Sequence, residues 1–289
     1  MTTHKFLKRD VRLGITNRSY LYIIPVLFSY IMVKESSSGM HIYQDMKYMW
    51  SEGSVWEYYI DAVRGMNFYR FDPQQQFTIP LYWFIFQIGI SYFTAYYAEK
   101  DYSENAVLVF TAGKSRSSWW FSKVIWCILS VLVYYFVMIA SCVICALLRG
   151  AKPSLSVSSN FLNLRFGYNM KFLSFSDLIL ITVIVPLVVT TAICLVQMLL
   201  SFIISPVTSF AIVCGIYILS AYYTSWFLPG SYTMWLRSSY FDERGLNPYS
   251  GLLIALFLIA GVVVLGRTYF EDKDVIWLLA WWRWYDSTG

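Results

Sequence analysis

From Leu178 to Leu236 the chain carries no Asp, Glu, Lys or Arg. Soluble domains hold about one charged residue in four, so a stretch of this length without charge belongs inside a membrane. The rest of the chain agrees. Of its 289 residues 58% are hydrophobic and only 13% charged, which excludes a soluble globular enzyme. The net charge of +5 does not point to nucleic acid, because the basic residues flank apolar runs, where they suit lipid head groups and orientation. All five cysteines fall within apolar runs and read as packing residues. The Cys142-x-x-Cys145 spacing only stacks two thiols on one helix face.

Crossing a bilayer takes about 20 apolar residues at 1.5 Å each. Six stretches qualify: 20–38, 77–98, 124–148, 178–200, 207–228 and 250–266. The expected fold is therefore all-α, a single polytopic membrane domain. The first stretch is the least apolar, and Pro25 with its tyrosines favours a retained span over a cleaved signal. Ser205-Pro206 predicts a tight hairpin between the fourth and fifth. Lys5, Lys8, Arg9, Arg12 and Arg18 precede the first span and favour a cytoplasmic N-terminus. Threading from there places 99–123, 201–206 and the tail 267–289 inside, with 39–76, 149–177 and 229–249 outside. Arg149, Lys152, Arg165 and Lys171 fall on that outer side and temper the bias.

Residues 1–19 predict an interfacial helix, with Leu7, Val11 and Ile15 as its apolar stripe and Lys5, Lys8, Arg9 and Arg12 facing water or phosphate. In the first outer loop Trp56, Tyr59, Ile60 and Val63 recur at helical spacing, opposed by Glu57, Asp61 and Arg64. That pattern fits an amphipathic helix on the membrane surface, and equally one packed on the outer ends of the spans. Trp and Arg283 in 276–285 make an interface-seeking tail.

The inventory of reactive groups is short. The two histidines, His4 and His41, lie outside the spans, and neither a zinc motif nor paired intramembrane carboxylates occur. Serine nucleophiles would lack a base. No catalytic, metal-binding or cofactor-binding residue is expected in this chain. Gly113-Lys114-Ser115 looks like the end of a P-loop, but the pattern needs a glycine at the position held by Leu108. Proton carriers and voltage sensors depend on ionisable groups within the membrane, and these spans offer almost none: 77–98, 124–148 and everything from Leu178 to Leu236 carry no Asp, Glu, Lys or Arg. Any energy for transport would have to enter from outside the bilayer.

The segment Glu99–Arg116 is expected to be a short cytoplasmic helix. Glu99, Asp101 and Glu104 suit its N-terminus, Gly113 its end, and Lys114 and Arg116 the residues beyond. Val107, Leu108 and Phe110 form an apolar knob suited to a groove on another protein. An ordinary loop packed on its own spans fits the same residues.

An interfacial N-terminal helix, six spans with both termini inside, and a helix between spans two and three resemble the permease subunits of type-2 ABC exporters. The run Gly113-Lys114-Ser115-Arg116-Ser117-Ser118-Trp119-Trp120-Phe121-Ser122-Lys123 resembles the passage from coupling helix to span three in that family. The resemblance implies a multi-pass permease in a bacterial plasma membrane, paired with a second permease chain, identical or related. A separate ABC-type ATPase subunit holding ATP and Mg would dock on the coupling residues. It further implies that 229–249 dips back toward the membrane. A pathway would be lined by Gln87, Ser91, Tyr92, Thr190, Thr191 and Gln197, although small polar residues in spans often only stitch helices together. The charge-free spans and aromatic outer surface suggest an amphipathic or hydrophobic cargo such as an antimicrobial peptide, drug or lipid. A membrane sensor or scaffold of the same shape, and an ion-coupled carrier, are the alternatives.

Overall fold

A computed structural model describes residues 3–45, 53–69, 76–112, 116–167 and 174–272. Ten α-helices follow one another, with no strand among the described residues. They are α1 (Thr3–Asp10), α2 (Ile23–Asp45), α3 (Val55–Ala62), α4 (Leu81–Ala112), α5 (Arg116–Leu148), α6 (Ser159–Phe166), α7 (Phe175–Ile179), α8 (Val185–Ile203), α9 (Pro206–Tyr222) and α10 (Pro248–Asp272). Helices occupy all six stretches expected to span. Three runs among the described residues are both long and apolar enough to cross a membrane: Arg116–Leu148, Phe175–Ile203 and Pro248–Glu271. α9 is apolar but shorter. The chain is a helical membrane protein.

α8 is the centre of the body. It packs against α4, α5, α9 and α10, and 61% of its most apolar stretch is buried, against 33% in α5 and 22% in α10. Leu132, Phe136 and Leu148 of α5 and Leu253, Phe257 and Val264 of α10 are exposed. Large apolar side chains turned outward along whole helices are what a hydrocarbon surround requires.

The turn into α9 forms as expected. Ser205 is the N-cap, its hydroxyl accepting from Thr208 N at 3.0 Å, and Pro206 opens the helix. α9 stops at Tyr222, six residues short of the expected end. The Arg237 guanidinium, buried from solvent, donates to the carbonyls of Ser220 and Ala221 and caps the helix there. Its remaining bonds reach Met66 O and Asn67 O, both at 3.2 Å. Burial pulls its pKa down to about 10, so it stays cationic at neutral pH. Around it, residues 229–237 fold back as two tight turns buried against the helices.

Of the two placements open for α3, the packed one holds: all eight of its residues are buried. Its polar face is buried because each acid has partners. Glu57 accepts from Ser54 N and from Ser158 N, the N-caps of α3 and α6. Asp61 pairs with Arg64 at 2.7 Å and Arg165 at 3.2 Å. Two other local expectations need correction. In the N-terminal segment the buried face is Phe6, Asp10 and Gly14, one position away from the Leu7, Val11 and Ile15 stripe. Lys5, Lys8 and Arg12 do face outward, whereas Arg9 turns inward. Finally, the acids at 99–104 start no new helix. α4 runs without a break from Leu81 to Ala112, because Ala98 to Ala112 contains neither Gly nor Pro and Lys100 supports Glu104 one turn on. The tail 276–285 lies outside the described residues.

A buried ionic hub at the base of the α4–α5 hairpin

α4 and α5 form an antiparallel helical hairpin, Asp101 lying opposite Lys123 and Phe86 opposite Tyr134. At its base the helices are bolted to the body by charge. Lys123, on α5 and completely buried, lies 2.7 Å from Asp10 Oδ1 and 2.6 Å from Asp101 Oδ2. Arg9 Nη2 donates to Asp101 Oδ2 at 2.6 Å and lies 3.4 Å from Asp10 Oδ1. Two cations and two anions cancel, which is the condition for burying any of them. Hydrogen bonds take up remaining acceptor capacity: Ser122 Oγ donates to Asp10 Oδ2 at 2.5 Å, and Tyr97 OH to Asp10 Oδ1 at 3.2 Å. The Tyr97 ring lies 4.8 Å from Lys123 Nζ and 5.2 Å from the Arg18 guanidinium, adding cation–π attraction.

Sequence spacing delivers this arrangement. Tyr97 and Asp101 are four residues apart on α4, Phe6 and Asp10 four apart on α1, and Ser122 and Lys123 adjoin at the start of the apolar part of α5. The next turn is glycine. A Cβ on Gly14 would come within 2.4 Å of Trp126 Nε1, so only a bare backbone lets the N-terminal segment lie flat on α5.

Beside the hub is an aromatic cluster. Tyr102, Trp119, Trp120, Phe202 and Phe270 meet edge-on or tilted, with centroids 5.1 to 6.3 Å apart, joining α4, α5, α8 and α10. Trp120 Nε1 donates to Val263 O at 3.1 Å over the bare backbone of Gly266. Arg116 Nη1 reaches Glu271 O at 3.3 Å, and Ser117 Oγ donates to the Glu271 carboxylate. The hairpin base is thus tied to three other segments: the N-terminal segment, α8 and α10.

The structure separates the expected coupling residues into groups. Asp101 belongs to the hub and is buried, Arg116 reaches α10, and Glu99, Lys100 and Glu104 line the exposed or half-buried side of α4. Partial burial, together with the nearby Glu104 carboxylate, raises the Glu99 pKa. The side chains of Val107, Leu108 and Phe110, and all of Lys114, lie outside the described residues.

The expected pathway residues also divide. Gln87, Ser91, Thr190 and Gln197 lie on facing sides of α4 and α8 and are buried. Thr190 Oγ1 donates to Gln87 Oε1 at 2.9 Å, and Ser91 Oγ lies 3.8 Å from Cys194 Sγ. Tyr135 and Tyr217 extend the same network to α5 and α9. Thr191 instead donates to Leu187 O in its own helix, and Tyr92 is 45% exposed, stacked on Tyr96 and Phe210. Above Gln87 is a cavity of about 20 Å³, lined in part by Trp83, Tyr135, Pro186 and Thr233, with room for about one water.

Sequence reasoning missed Asp10, and met Lys123 only as the last residue of the run that resembles the passage into span three. The available signal was a single acid in a basic segment, spaced by four from Phe6 and from Gly14. No protein-family model, curated protein or solved structure matches this chain.

Proposed function

We propose that this chain is the membrane-embedded permease subunit of an ATP-driven exporter, moved through its α4–α5 hairpin by a separate ATPase subunit. The observation that carries the reading is the buried four-charge hub. A hairpin that only filled space would need no such anchorage, whereas one that transmits force must be fixed where it enters the body. α4 continues through that point as one rod about 48 Å long at helical rise. Displacement at the tip therefore reaches the Gln87 region without passing a joint. The charge-free run from Leu178 to Leu236 supports mechanical over ion-gradient coupling, and rigid-body motion of packed helices is the usual form of such transmission.

The chain works with a second permease copy, the same or related, in a six-span arrangement with both termini cytoplasmic, in a bacterial plasma membrane. Its cargo is amphipathic or hydrophobic, since Leu178 to Leu236 carries no charge and the outward surface offers large exposed aromatic groups such as Phe136, Trp226 and Phe257. ATP and Mg belong to the partner; this chain contributes no catalytic group.

Purification in mild detergent followed by mass spectrometry tests the reading. A stoichiometric subunit with a complete G-x-x-x-x-G-K-[ST] motif is expected. Leu108→Asp with Phe110→Asp should release that subunit at least ten-fold while the permease stays inserted. Undiminished assembly and transport in the double variant would sink the coupling role of the hairpin. A chain that binds a ligand without flux and without any ATPase would instead be a sensor, a reading favoured by the densely packed outer cap of α3, α6 and 229–237.

A further inference from the structure

α4 and α8 pack with a constant register. Gln87 meets Thr190, and Ser91 meets Cys194, each pair 103 positions apart. An unvarying offset means parallel helices, and it sets Thr94 opposite Gln197 one turn further on. Down this seam every group but one is satisfied. Gln87 bonds to Thr190, Tyr135 and Tyr217; Thr94 turns its hydroxyl back to the carbonyls of Ile90 and Ser91; Ser201 donates to Met198 O. Gln197 is completely buried, and neither its amide oxygen nor its amide nitrogen has a partner among the described residues.

A primary amide in a dry helix interface is costly when unpaired, and leucine or methionine would fill the same space without that cost. We propose that Gln197 is a binding position for a neutral group that both donates and accepts hydrogen bonds, held in the seam between α4 and α8. The chemistry of the occupant follows from the site. A glutamine side chain presents two donors and a carbonyl acceptor, which matches an amide, a hydroxyl or a water molecule. A charged occupant is disfavoured, because the chain from Leu178 to Leu236 offers no counter-charge. The side chains nearest in register, Thr94 and Cys194, are neutral. The site lies within one chain, and it does not depend on the ATPase reading above.

Cys194, one turn from Gln197 and completely buried, is a native reporter. The experiment uses the full chain in lipid nanodiscs, without ATPase. It is treated with neutral N-ethylmaleimide or with a cationic trimethylammonium thiosulfonate, and each native cysteine is read by peptide mass spectrometry. Cys194 should react with the neutral reagent at least ten-fold faster than with the cationic one, while buried Cys127 stays unlabelled. Gln197→Leu, with Gln197→Met as a second variant, should slow labelling of Cys194 at least ten-fold and raise the unfolding temperature. Slowing of native labelling by N-methylacetamide, absent in the variants, identifies a solute amide as occupant; no slowing identifies water. Equal labelling by the cationic reagent, labelling insensitive to both substitutions, or a lowered unfolding temperature in both would overturn the proposal. None of these results bears on whether an ATPase docks on the hairpin.

Discussion

Removing Lys123 would leave the Asp10 and Asp101 carboxylates buried side by side with only Arg9 between them. Breaking one member out of a buried charge cluster costs about 3–5 kcal/mol. Lys123→Met should therefore lower stability by about that amount in detergent unfolding experiments. Adding Asp10→Asn and Asp101→Asn should recover a substantial part of it, because no unpaired anion remains. A loss under about 1 kcal/mol for the single variant would show that water reaches the cluster. These residues also mark where the sequence stops being legible. Charge in a juxtamembrane segment reads as solvated by default, and hydropathy cannot register that Asp10, Asp101 and Lys123 converge across more than a hundred positions. Gly14 and Gly266 were equally silent, since the need for a bare backbone arises only when Trp126 and Trp120 arrive from α5.

Among the elements, α3 shows how a correct periodicity leads to an incomplete placement. Its helical spacing and its Ser54–Glu57 capping box are visible in the sequence. The burial of its acidic face is not, because it depends on Arg165 and Ser158 from α6. Glu57 there serves two helix starts at once. Glu57→Ala should destabilise the outer cap by about 2–3 kcal/mol, the scale of a lost cap plus an unpaired buried N–H. Amide exchange at α3 and α6 would accelerate while α5 and α8 stay protected. Uniform protection would mean the cap is held by packing alone. α8 tells the opposite story. Its span widens through Leu180–Ile184, just before Pro186. The carbonyls of Thr182 and Pro186 are taken up by the hydroxyls of Tyr59 and Tyr135, so the break is stitched by side chains from two other helices.

For the molecule as a whole, helices fall in all six apolar stretches, and three of them, within Arg116–Leu148, Phe175–Ile203 and Pro248–Glu271, are long and apolar enough to cross a membrane. The six are not equally apolar. α2 and α4 bury polar side chains against other helices, Ser29 and Ser36 in α2 and Gln87, Ser91 and Thr94 in α4, so their apolar character is diluted where α5, α8 and α10 are saturated. Single-site glycosylation or thiol mapping should place 39–76, 149–177 and 229–249 on one side and both termini on the other. A terminus found on the outer side would remove the six-span arrangement and with it the position of the hairpin. The order of assembly is written into the hub as well. Asp10 leaves the ribosome long before Lys123, the cation it shares with Asp101. Until two later spans have been made, the N-terminal segment has nothing to settle on, and its one acid sits among four or five basic neighbours at the membrane face. Closure of the hub is then a late event in biogenesis, a check that α4 and α5 have inserted as a pair before the N-terminus is locked down.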